Sequence, residues 1–375
     1  MALAGGGIVL AAAGSGGLWA ATRDPARARL PWSRAGGETE PRRRALSFAV
    51  LAPNPHNRQP WIADLGAEDG ITLYCDLERR LPHTDPFDRQ ITVGLGCFLE
   101  LLALAAANDG WRADIALFPE GEPQPRLDNR PVATVRFVRD ENIEADPLFR
   151  HVLDRRSCKE PFEPARGVSG DTLARIAQAA DAETVAFTND AGEVAALRAH
   201  AWAAMEIELT THRTLKESVD LMRIGKAEIE ANPDGIDLGG PMMEALSLTG
   251  ILNREAMLDM QSTVFKQQMP VLKAPFDTAA AFMWLTTQGN SRADQIKAGR
   301  DHVRLNLAAT GLGVAMHPVS QALQEYPEMK PHYEAMREAL GIGGGQTLQM
   351  LVRLGYGPHV PASPRWPYET RIKTA

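Results

Sequence analysis

The sequence predicts an α+β fold in which one unit of helices and antiparallel strands is built twice. In the first half, residues 104–110 close an apolar helix at a glycine, and a strand follows. In the second half, residues 307–311 do the same. After a loop, each half has a further strand, at residues 132–138 and 348–354. This shared order predicts two divergent copies of one unit. The alternative is chance, because a helix, a glycine and a strand often follow one another.

Each element has a local signal. Pro53 and Pro55 end the first helix, because a residue before proline disfavours helical geometry. Alternating apolar residues predict strands, and a continuous apolar run that ends at Gly110 predicts a long helix. In order, the predicted elements are a helix at 41–51, a strand at 71–75, a helix at 90–107, strands at 111–118 and 132–138, a helix at 169–180, a strand at 184–188, helices at 193–211 and 298–310, and strands at 313–316 and 348–354.

Four parts are predicted along the chain. Residues 1–22 are a signal or anchor segment and residues 23–40 a linker, while residues 41–150 and 151–375 form the two halves. Within the second half, residues 213–285 are rich in methionine and predict loosely joined helices. Such an insertion often acts as a lid over a site. The alternative is that its methionines fill core.

Composition and motifs argue against several classes of protein. The net charge of −7 argues against nucleic acid as a partner. The 3 cysteines include no CxxC pair, so neither a disulfide framework nor a zinc site is expected. The HExxH, GxSxG and GxxxxGKS/T motifs are absent from the sequence. His83, Asp85 and Asp88 match no metal motif, and Thr84 or Asp88 is expected to cap the helix that follows.

The N-terminal residues 2–21 are apolar or small throughout. This run is long enough for the hydrophobic region of a signal peptide or for a weak membrane anchor. Because no basic residue precedes it, we interpret it as an export signal, of the twin-arginine kind, whose basic start is missing. A glycine-rich tail is the alternative. The predicted location is periplasmic or exported, with a membrane anchor if the segment is retained; a cytoplasmic location is the alternative.

Residues 51–61 (LAPNPHNRQPW) form a proline-bracketed loop with amide and imidazole side chains. Because proline fixes the backbone, the side chains and free backbone amides present donors and acceptors in fixed positions. This arrangement suits the pyrimidine edge of a flavin, and Asn57 is the favoured contact. His56 either covers the ring or is a structural histidine.

Residues 155–159 (RRSCK) are a dense cationic segment. Arg155, Ser157 and Lys159 alternate, so in an extended chain they are expected on one side. Arginine offers phosphate a planar fork and lysine a point charge. The segment therefore predicts a phosphate site, with a solvated surface cluster as the alternative. A ring with a phosphate tail, such as flavin mononucleotide (FMN), needs both this segment and the loop.

Two further segments are candidates for the same site. Arg365 lies between prolines near the chain end and is expected to fold back to the phosphate, unless solvent covers it. The segment Met316, His317 and Pro318 is expected beside the ring.

Together these residues resemble the nitroreductase superfamily. Residues 51–61 are similar to its flavin-contacting segment that ends in QPW, and residues 155–159 with Phe162 are similar to its RxSxR phosphate motif. Here the motif order is reversed and the chain is double-sized. This resembles the Acg-like branch, in which two divergent copies form a single-chain pseudo-dimer. The stretch at 81–90 and the PRxP at 364–367 also resemble that branch.

The resemblance implies an α+β nitroreductase-like fold with one FMN site per chain. Asn54 stands where the family usually has serine, which changes a ring contact. Because the flavin carries the chemistry, no side chain is expected to be catalytic. The implied cofactor-binding residues are Asn54, Pro55, His56, Asn57, Gln59, Arg155, Ser157, Lys159, Met316, His317, Pro318 and Arg365.

The expected function is FMN-dependent oxidoreduction by a monomeric pseudo-dimer. Hydride would pass from NAD(P)H to the flavin and on to a nitroaromatic or quinone-like acceptor. Two other functions stay open. One is an FMN-sequestering protein with little turnover, and the other is a cofactor-free exported protein that binds another anion.

Overall fold

The computed structural model describes residues 22–181 and 184–373. Its centre is a pair of long helices packed on each other, and each helix packs on its own four-stranded antiparallel sheet. The α+β class predicted from the sequence is confirmed. The predicted signal or anchor residues 2–21 lie outside the described residues.

The first half contains one sheet and one long helix. Its elements are α1 (Leu30–Arg34), α2 (Pro41–Ala49), β1 (Trp61–Asp64), β2 (Gly70–Cys75), α3 (Arg89–Asn108), β3 (Trp111–Leu117) and β4 (Ala133–Arg139). The strands lie in the order β1-β2-β4-β3, with antiparallel neighbours. By length and composition α3 could span a membrane, but 83% of its most apolar window is buried inside the protein. Its apolar sequence therefore fits a core helix.

The second half contains the other sheet and a helical insertion. Its elements are α4 (Gly170–Ala177), β5 (Val185–Thr188), α5 (Ala191–Thr210), α6 (His212–Asp220), β6 (Met222–Ile224), α7 (Gly225–Ala231), β7 (Ile236–Leu238), α8 (Pro241–Leu248), α9 (Arg254–Leu258), α10 (Thr263–Asp277), β8 (Ala281–Thr287), α11 (Arg292–Gly311), β9 (Ala315–Pro318), α12 (Lys330–Ala339) and β10 (Thr347–Gly355). The main strands lie in the order β5-β8-β10-β9, again antiparallel. Strands β6 and β7 form a separate parallel pair.

The two sheets have the same topology. In each, the spatial order is first, second, fourth and third strand of that sheet along the chain. A 20-residue helix joins the second strand to the third in both halves, α3 in one and α11 in the other. The repeat predicted from residues 104–110 and 307–311 is thus confirmed, because both segments close these equivalent helices.

The two long helices contact each other through one glycine on each helix. Gly96 and Gly299 are both the eighth residue of their helix. A Cβ atom added to Gly299 would lie 2.0 Å from the carbonyl oxygen of Val93, and one added to Gly96 would lie 2.2 Å from that of Ile296. No side chain fits at either position, so glycine at this place in both copies permits the close helix contact.

A buried arginine begins each long helix and reaches into the opposite half. Arg89 donates to the carbonyl oxygen of Gln349 in the second sheet at 3.3 Å. Arg292 donates to the carbonyl oxygens of Pro123 and Pro125 at 3.2 and 2.9 Å. Because both side chains are almost fully buried, these reciprocal bonds hold the two halves together.

The N-terminus of helix α3 is capped by a residue other than the predicted ones. Asp88 occupies the cap position with φ of 58°, but its carboxylate accepts from the amide of Leu127. Asp85 accepts instead from two amides of the first helical turn, at 3.1 and 2.8 Å. The prediction that Thr84 or Asp88 caps the helix is wrong, because the left-handed backbone of Asp88 gives its carboxylate another partner. Thr84 donates to Glu217 of the insertion.

Residues 23–40 do not form the predicted linker. A short 3₁₀ helix (Ala26–Arg29) and α1 occupy this segment, and Trp32 is 7% exposed. The Trp32 indole donates to the carbonyl oxygen of Ser363 at 2.9 Å. Composition indicated a linker because proline, arginine and glycine are common there; burial of one tryptophan fixes it to the protein.

The insertion contains helices α6 to α10 and the β6–β7 pair. It has a small apolar core of its own, to which Leu215, Val219, Met257 and Phe265 contribute. The helical block ends at Asp277 and strand β8 starts four residues later, so the C-terminal part of the predicted range 213–285 belongs to the second sheet.

Candidate functional site

The loop at residues 54–59 has an unusual backbone. His56, Asn57 and Gln59 have φ values of 46°, 50° and 53°, in the left-handed region that non-glycine residues seldom adopt. The Asn54 carboxamide oxygen accepts from the amide of Gln59 at 2.7 Å and closes the turn. Strained backbone of this kind persists where the surroundings determine it, and often marks a functional site.

A glycine in α3 allows the loop to pack closely. A Cβ atom added to Gly94 would lie 3.0 Å from Cβ of Asn54 and 3.3 Å from Cδ of Pro55. The loop therefore lies directly on the first half's long helix.

The two sequence motifs meet at one backbone carbonyl. The oxygen of Leu51 accepts from Arg155 at 3.0 Å and from Arg365 at 3.2 Å. Arg365 also donates to Oδ1 of Asn57 at 2.7 Å. Three predicted site residues that are far apart in sequence thus lie together, and Asn306 of α11 fixes Arg155 from the other side at 3.2 Å.

Three guanidinium groups surround the indole of Trp32. Their carbons lie 5.7, 4.7 and 5.5 Å from its ring centroid, for Arg155, Arg156 and Arg365 respectively. We call this the arginine cluster. Among the described residues no carboxylate forms an ion pair with it, and the Nε of each arginine is buried without a hydrogen-bond partner. Burial, followed by repulsion between the arginines, holds the pKa of Arg365 well below its usual value.

Such a cluster can bind an anion with several oxygens. Arginine keeps its proton at neutral pH, so the cluster carries positive charge, and the one described carboxylate that acts on Arg156, Asp154, forms no ion pair with it. Each charge-assisted hydrogen bond to a bound anion contributes about 1.5–3 kcal/mol.

Lys159 does not join the arginine cluster. Residues 155–159 have no helical structure, so Lys159 can lie up to about 13 Å beyond Arg155. It lies near His317 instead, whose pKa its charge helps to lower. The expectation that Arg155, Ser157 and Lys159 bind one anion stays a prediction, since no described contact joins all three. No hydrogen bond of the Ser157 hydroxyl is found within residues 22–181 and 184–373.

Lys159 is crowded by protein atoms and yet exposed. Burial lowers the pKa of its ammonium group, and the nearby Asp237 raises it by a smaller amount. The residue is nevertheless exposed to water. The lowered pKa and the exposure are consistent if protein atoms surround the side chain while water still reaches part of it.

Met316 and Pro318 contribute mainly to structure. The Met316 side chain is 1% exposed in the second core, and its carbonyl oxygen accepts from the amide of Cys158 at 3.0 Å. Pro318 ends strand β9 opposite Val352. A direct ring contact was predicted for both, but the Met316 side chain points into the core. His317 and Pro318 are both partly exposed, and of these two His317 carries side-chain hydrogen-bonding groups.

The insertion lies on the site loop. Gln59 donates to the carbonyl oxygen of Pro233 at 2.7 Å, and the amide of Gly235 donates to that of Asn57 at 3.2 Å. Between these bonds, Asp234 accepts from Arg79 at 2.5 Å and from further donors. A segment of the insertion is thus fixed over the loop.

We expect Asp234→Asn to loosen this contact. Asp234 is 6% exposed and also accepts from Arg223 and from the indole of Trp366, at 2.9 and 3.3 Å. Loss of its charge leaves buried donors poorly paired, at about 1–3 kcal/mol. Amide hydrogen exchange in residues 222–238 should therefore become roughly 10–100-fold faster. Asp220→Asn is the matched control, since that carboxylate pairs only with the exposed Lys216 of the same insertion. Equal exchange in both variants would contradict the assignment.

The same contact should weaken in acid. Burial raises the pKa of Asp234, but the indole of Trp366 and the arginines Arg79 and Arg223 outweigh it, and the net pKa is lowered. The folded-state pKa thus lies below the unfolded value of about 3.9. The stabilisation is present above that pH and is lost as the pH falls below it.

A surface depression lies away from these residues. It has a volume of about 720 Å³ and is shallow, over the outer face of the first sheet near Thr72, Asp114 and Arg136. None of the predicted site residues lines it, so we base the site on the convergence of side chains.

Comparisons with known proteins agree with the motifs. No family model matches the sequence. A Mycobacterium tuberculosis H37Rv protein provisionally named NAD(P)H nitroreductase Rv3131 is 26% identical over 347 residues, which cover 88% of this chain and 93% of that protein. The provisional NAD(P)H nitroreductase acg of the same strain is 25% identical over 338 residues, 87% of this chain and 93% of that protein. This chain is an Acg-like relative of the nitroreductases. A solved FMN-bound nitroreductase from Desulfitobacterium hafniense is 16% identical, covers 62% of this chain and 100% of its own, and has a TM-score of 0.36.

Several residues of this candidate site were missed in the sequence. Trp32, Asp234 and Arg353 lie outside the motifs, and each reaches the site from a segment distant in the chain. Trp32 is the one that a local signal could have revealed, because a lone tryptophan in a supposed linker usually has an apolar partner.

Proposed function

We propose that this chain is an FMN-dependent oxidoreductase that takes electrons from NAD(P)H and gives them to a nitroaromatic or quinone-like acceptor. One observation carries the proposal: the carbonyl oxygen of Leu51 accepts from both Arg155 and Arg365, which brings the loop at residues 54–59 together with cations that form no ion pair among the described residues. The names of the relatives, which span nearly the full chain, support the same activity.

The residues present fit FMN. The arginine cluster would take the phosphate, which has close to two negative charges and several acceptor oxygens. Lys159, up to about 13 Å beyond Arg155 along an extended segment, and the nearby His317 would serve the ring end. The bound flavin would supply hydride transfer, while the protein binds, orients and encloses it.

We also propose one flavin per chain, because the equivalent place in the second copy is filled. Gly94 is the sixth residue of α3, and the sixth residue of α11 is Lys297. Lys297 pairs with Asp181 and Asp301, at 3.0 Å each. Where the first copy accommodates Asn54 and Pro55 against a glycine, the second copy has a long paired side chain. A site completed within one chain also favours a monomer.

The visible absorption spectrum of the purified protein tests this proposal. We expect bands of oxidised flavin, release of about one FMN per chain on heating, and bleaching by NAD(P)H without oxygen. Subsequent addition of a quinone should restore the bands. Lys297→Met is the control and should leave the flavin content unchanged. A protein that is colourless and remains so after incubation with FMN would overturn the proposal.

A second function, flavin sequestration with little turnover, is favoured by the contact of Pro233 and Gly235 with the site loop. If the insertion shields the ring, reoxidation by a quinone should be slow in the wild type and much faster in Asp234→Asn. Equal, rapid reoxidation in both proteins would exclude sequestration and support the enzyme.

A further inference from the structure

Arg353 connects His317 to the segment that contains Lys159. It is a β10 residue with 0% exposure. Its Nε donates to Nδ1 of His317 at 2.9 Å, and its Nη2 donates to the carbonyl oxygens of Cys158 and Glu160 at 3.2 and 2.8 Å. One guanidinium group thus positions the histidine and both neighbours of the lysine.

The bond from Arg353 determines which nitrogen of His317 carries hydrogen. A guanidinium group can only donate, so Nδ1 of His317 must be the acceptor and cannot be protonated. The neutral imidazole then has its hydrogen on Nε2. Burial, Arg353 and Lys159 all oppose a second proton on this ring.

His317 and Lys159 present two donors near each other, because Arg353 and the bond from Cys158 to Met316 hold their two segments together. Within the described residues, neither Nε2 of His317 nor the Lys159 ammonium has a hydrogen-bond partner. Nε2 is also not among the buried polar atoms without a partner, so water reaches it. The one carboxylate that acts on Lys159 is Asp237, through a longer-range interaction. A ligand bound between Lys159 and His317 would therefore meet one cationic and one neutral donor.

We propose that Arg353 is a positioning residue that fixes His317 as a neutral donor, and that Nε2–H of His317 and the Lys159 ammonium bind the carbonyl edge of the flavin ring. This inference rests on the proposed function. The ring carbonyls accept hydrogen bonds in the oxidised state and become more negative when the ring gains electrons. The donor pair should therefore favour the reduced ring and raise its reduction potential.

The tautomer can be tested without flavin. Selective ¹⁵N-histidine labelling and NMR of the wild-type protein should show one of the 9 histidines with an unprotonated Nδ1 and a protonated Nε2, unchanged between pH 5.5 and 8. His317→Gln identifies the signal by its loss. In Arg353→Lys the signal should become a tautomer mixture or titrate. A His317 that carries hydrogen on Nδ1, or that titrates near pH 6.5, would overturn the role of Arg353.

The donor role is tested by the midpoint potential of bound FMN in two variants of one residue. His317→Leu removes the donor, whereas His317→Gln retains an N–H donor and an oxygen that can accept from Arg353. We expect His317→Leu to lower the affinity for reduced relative to oxidised FMN about tenfold, which is a potential decrease of about 30 mV for two electrons. His317→Gln should stay close to the wild type, and Lys159→Met should lower the potential further.

The outcomes separate this inference from the proposed function. If the wild-type protein and the variants bind FMN with the same potential, the donor role of His317 and Lys159 is overturned, whereas the proposed FMN-dependent function is retained. If no protein binds FMN, the proposed function fails, and the tautomer result alone decides the role of Arg353. If His317→Leu and His317→Gln shift the potential equally, the effect is structural and the donor role is overturned.

Discussion

Replacement of Arg365 by Met should produce a protein that purifies without flavin. Arg365 is 3% exposed and donates to the carbonyl oxygens of Leu51 and Ala52 at 3.2 and 3.0 Å and to Oδ1 of Asn57. Its loss removes one of the cations proposed to bind phosphate and takes one hydrogen bond from each of these three loop acceptors. The carbonyl oxygens of Leu51 and Ala52 keep a second donor, in Arg155 and Asn54, whereas Oδ1 of Asn57 loses its donor. Loss of the charge alone should weaken FMN binding roughly 10–100-fold. Disorder of the loop should add to this, so that no flavin survives gel filtration.

Arg156→Met is the matched control for this experiment. Arg156 belongs to the same cluster around Trp32, but its donors reach only the nearby carbonyl oxygens of Leu153 and Arg155. We expect weaker FMN binding with an intact loop. Dissociation constants from fluorescence titration should thus rise moderately for Arg156→Met and beyond measurement for Arg365→Met. Stoichiometric flavin in Arg365→Met would contradict the assigned role.

The thermal stability of the same variants distinguishes charge from structure. Without an anion, neighbouring arginines repel one another, so removal of one relieves repulsion while it breaks hydrogen bonds. Arg156→Met, which loses few bonds, should be as stable as the wild type without FMN. Arg365→Met should be less stable, because Leu51, Ala52 and Asn57 each lose a hydrogen bond from a charged group, and one such bond contributes about 1.5–3 kcal/mol.

The sequence allowed the repeated α+β unit and the residues of the loop and the cationic segment to be predicted. These features have local signals: a glycine after an apolar helix, prolines around Asn54 and alternating cations from Arg155. Their meeting point was also implied, by resemblance. The carbonyl of Leu51, to which both Arg155 and Arg365 donate, has no sequence signal, because every residue has a carbonyl group.

The remaining features depend on long-range packing, which sequence patterns do not encode. Arg353 looks like any strand residue, yet it faces His317 because β9 and β10 pair in a register that opposes these two. Lys159 was grouped with Arg155 because the two alternate along an extended segment, but its proximity to His317 has no sequence signal. Trp32 lies in a segment whose composition is that of a linker, and its burial depends on contact with Ser363 near the other end of the chain.

Replacement of Gly299 by Ala should destabilise the whole protein. In an ordinary helix this change stabilises by about 1 kcal/mol, because glycine has low helix propensity. Here the new Cβ would lie 2.0 Å from the carbonyl oxygen of Val93 and 2.9 Å from Cα of Gly96. Both obstacles are backbone atoms, so no side chain can move aside and the helices must separate. Overpacking typically costs about 1–3 kcal/mol, and a backbone clash of this size places Gly299→Ala at or above the upper end.

The expected sign is therefore the reverse of that for a free helical glycine. Gly170→Ala at the start of α4 is the control, since an added Cβ there meets no atom within 4 Å. Thermal unfolding should show a melting temperature several degrees lower for Gly299→Ala and unchanged or slightly higher for Gly170→Ala. Equal stability of the two variants would show that the helix contact can relax.

Because Asn306 of α11 holds Arg155, and α3 supports the loop at Gly94, separation of these helices should also weaken FMN binding. A fold built from two copies thus makes the site sensitive to the one position where the copies touch most closely.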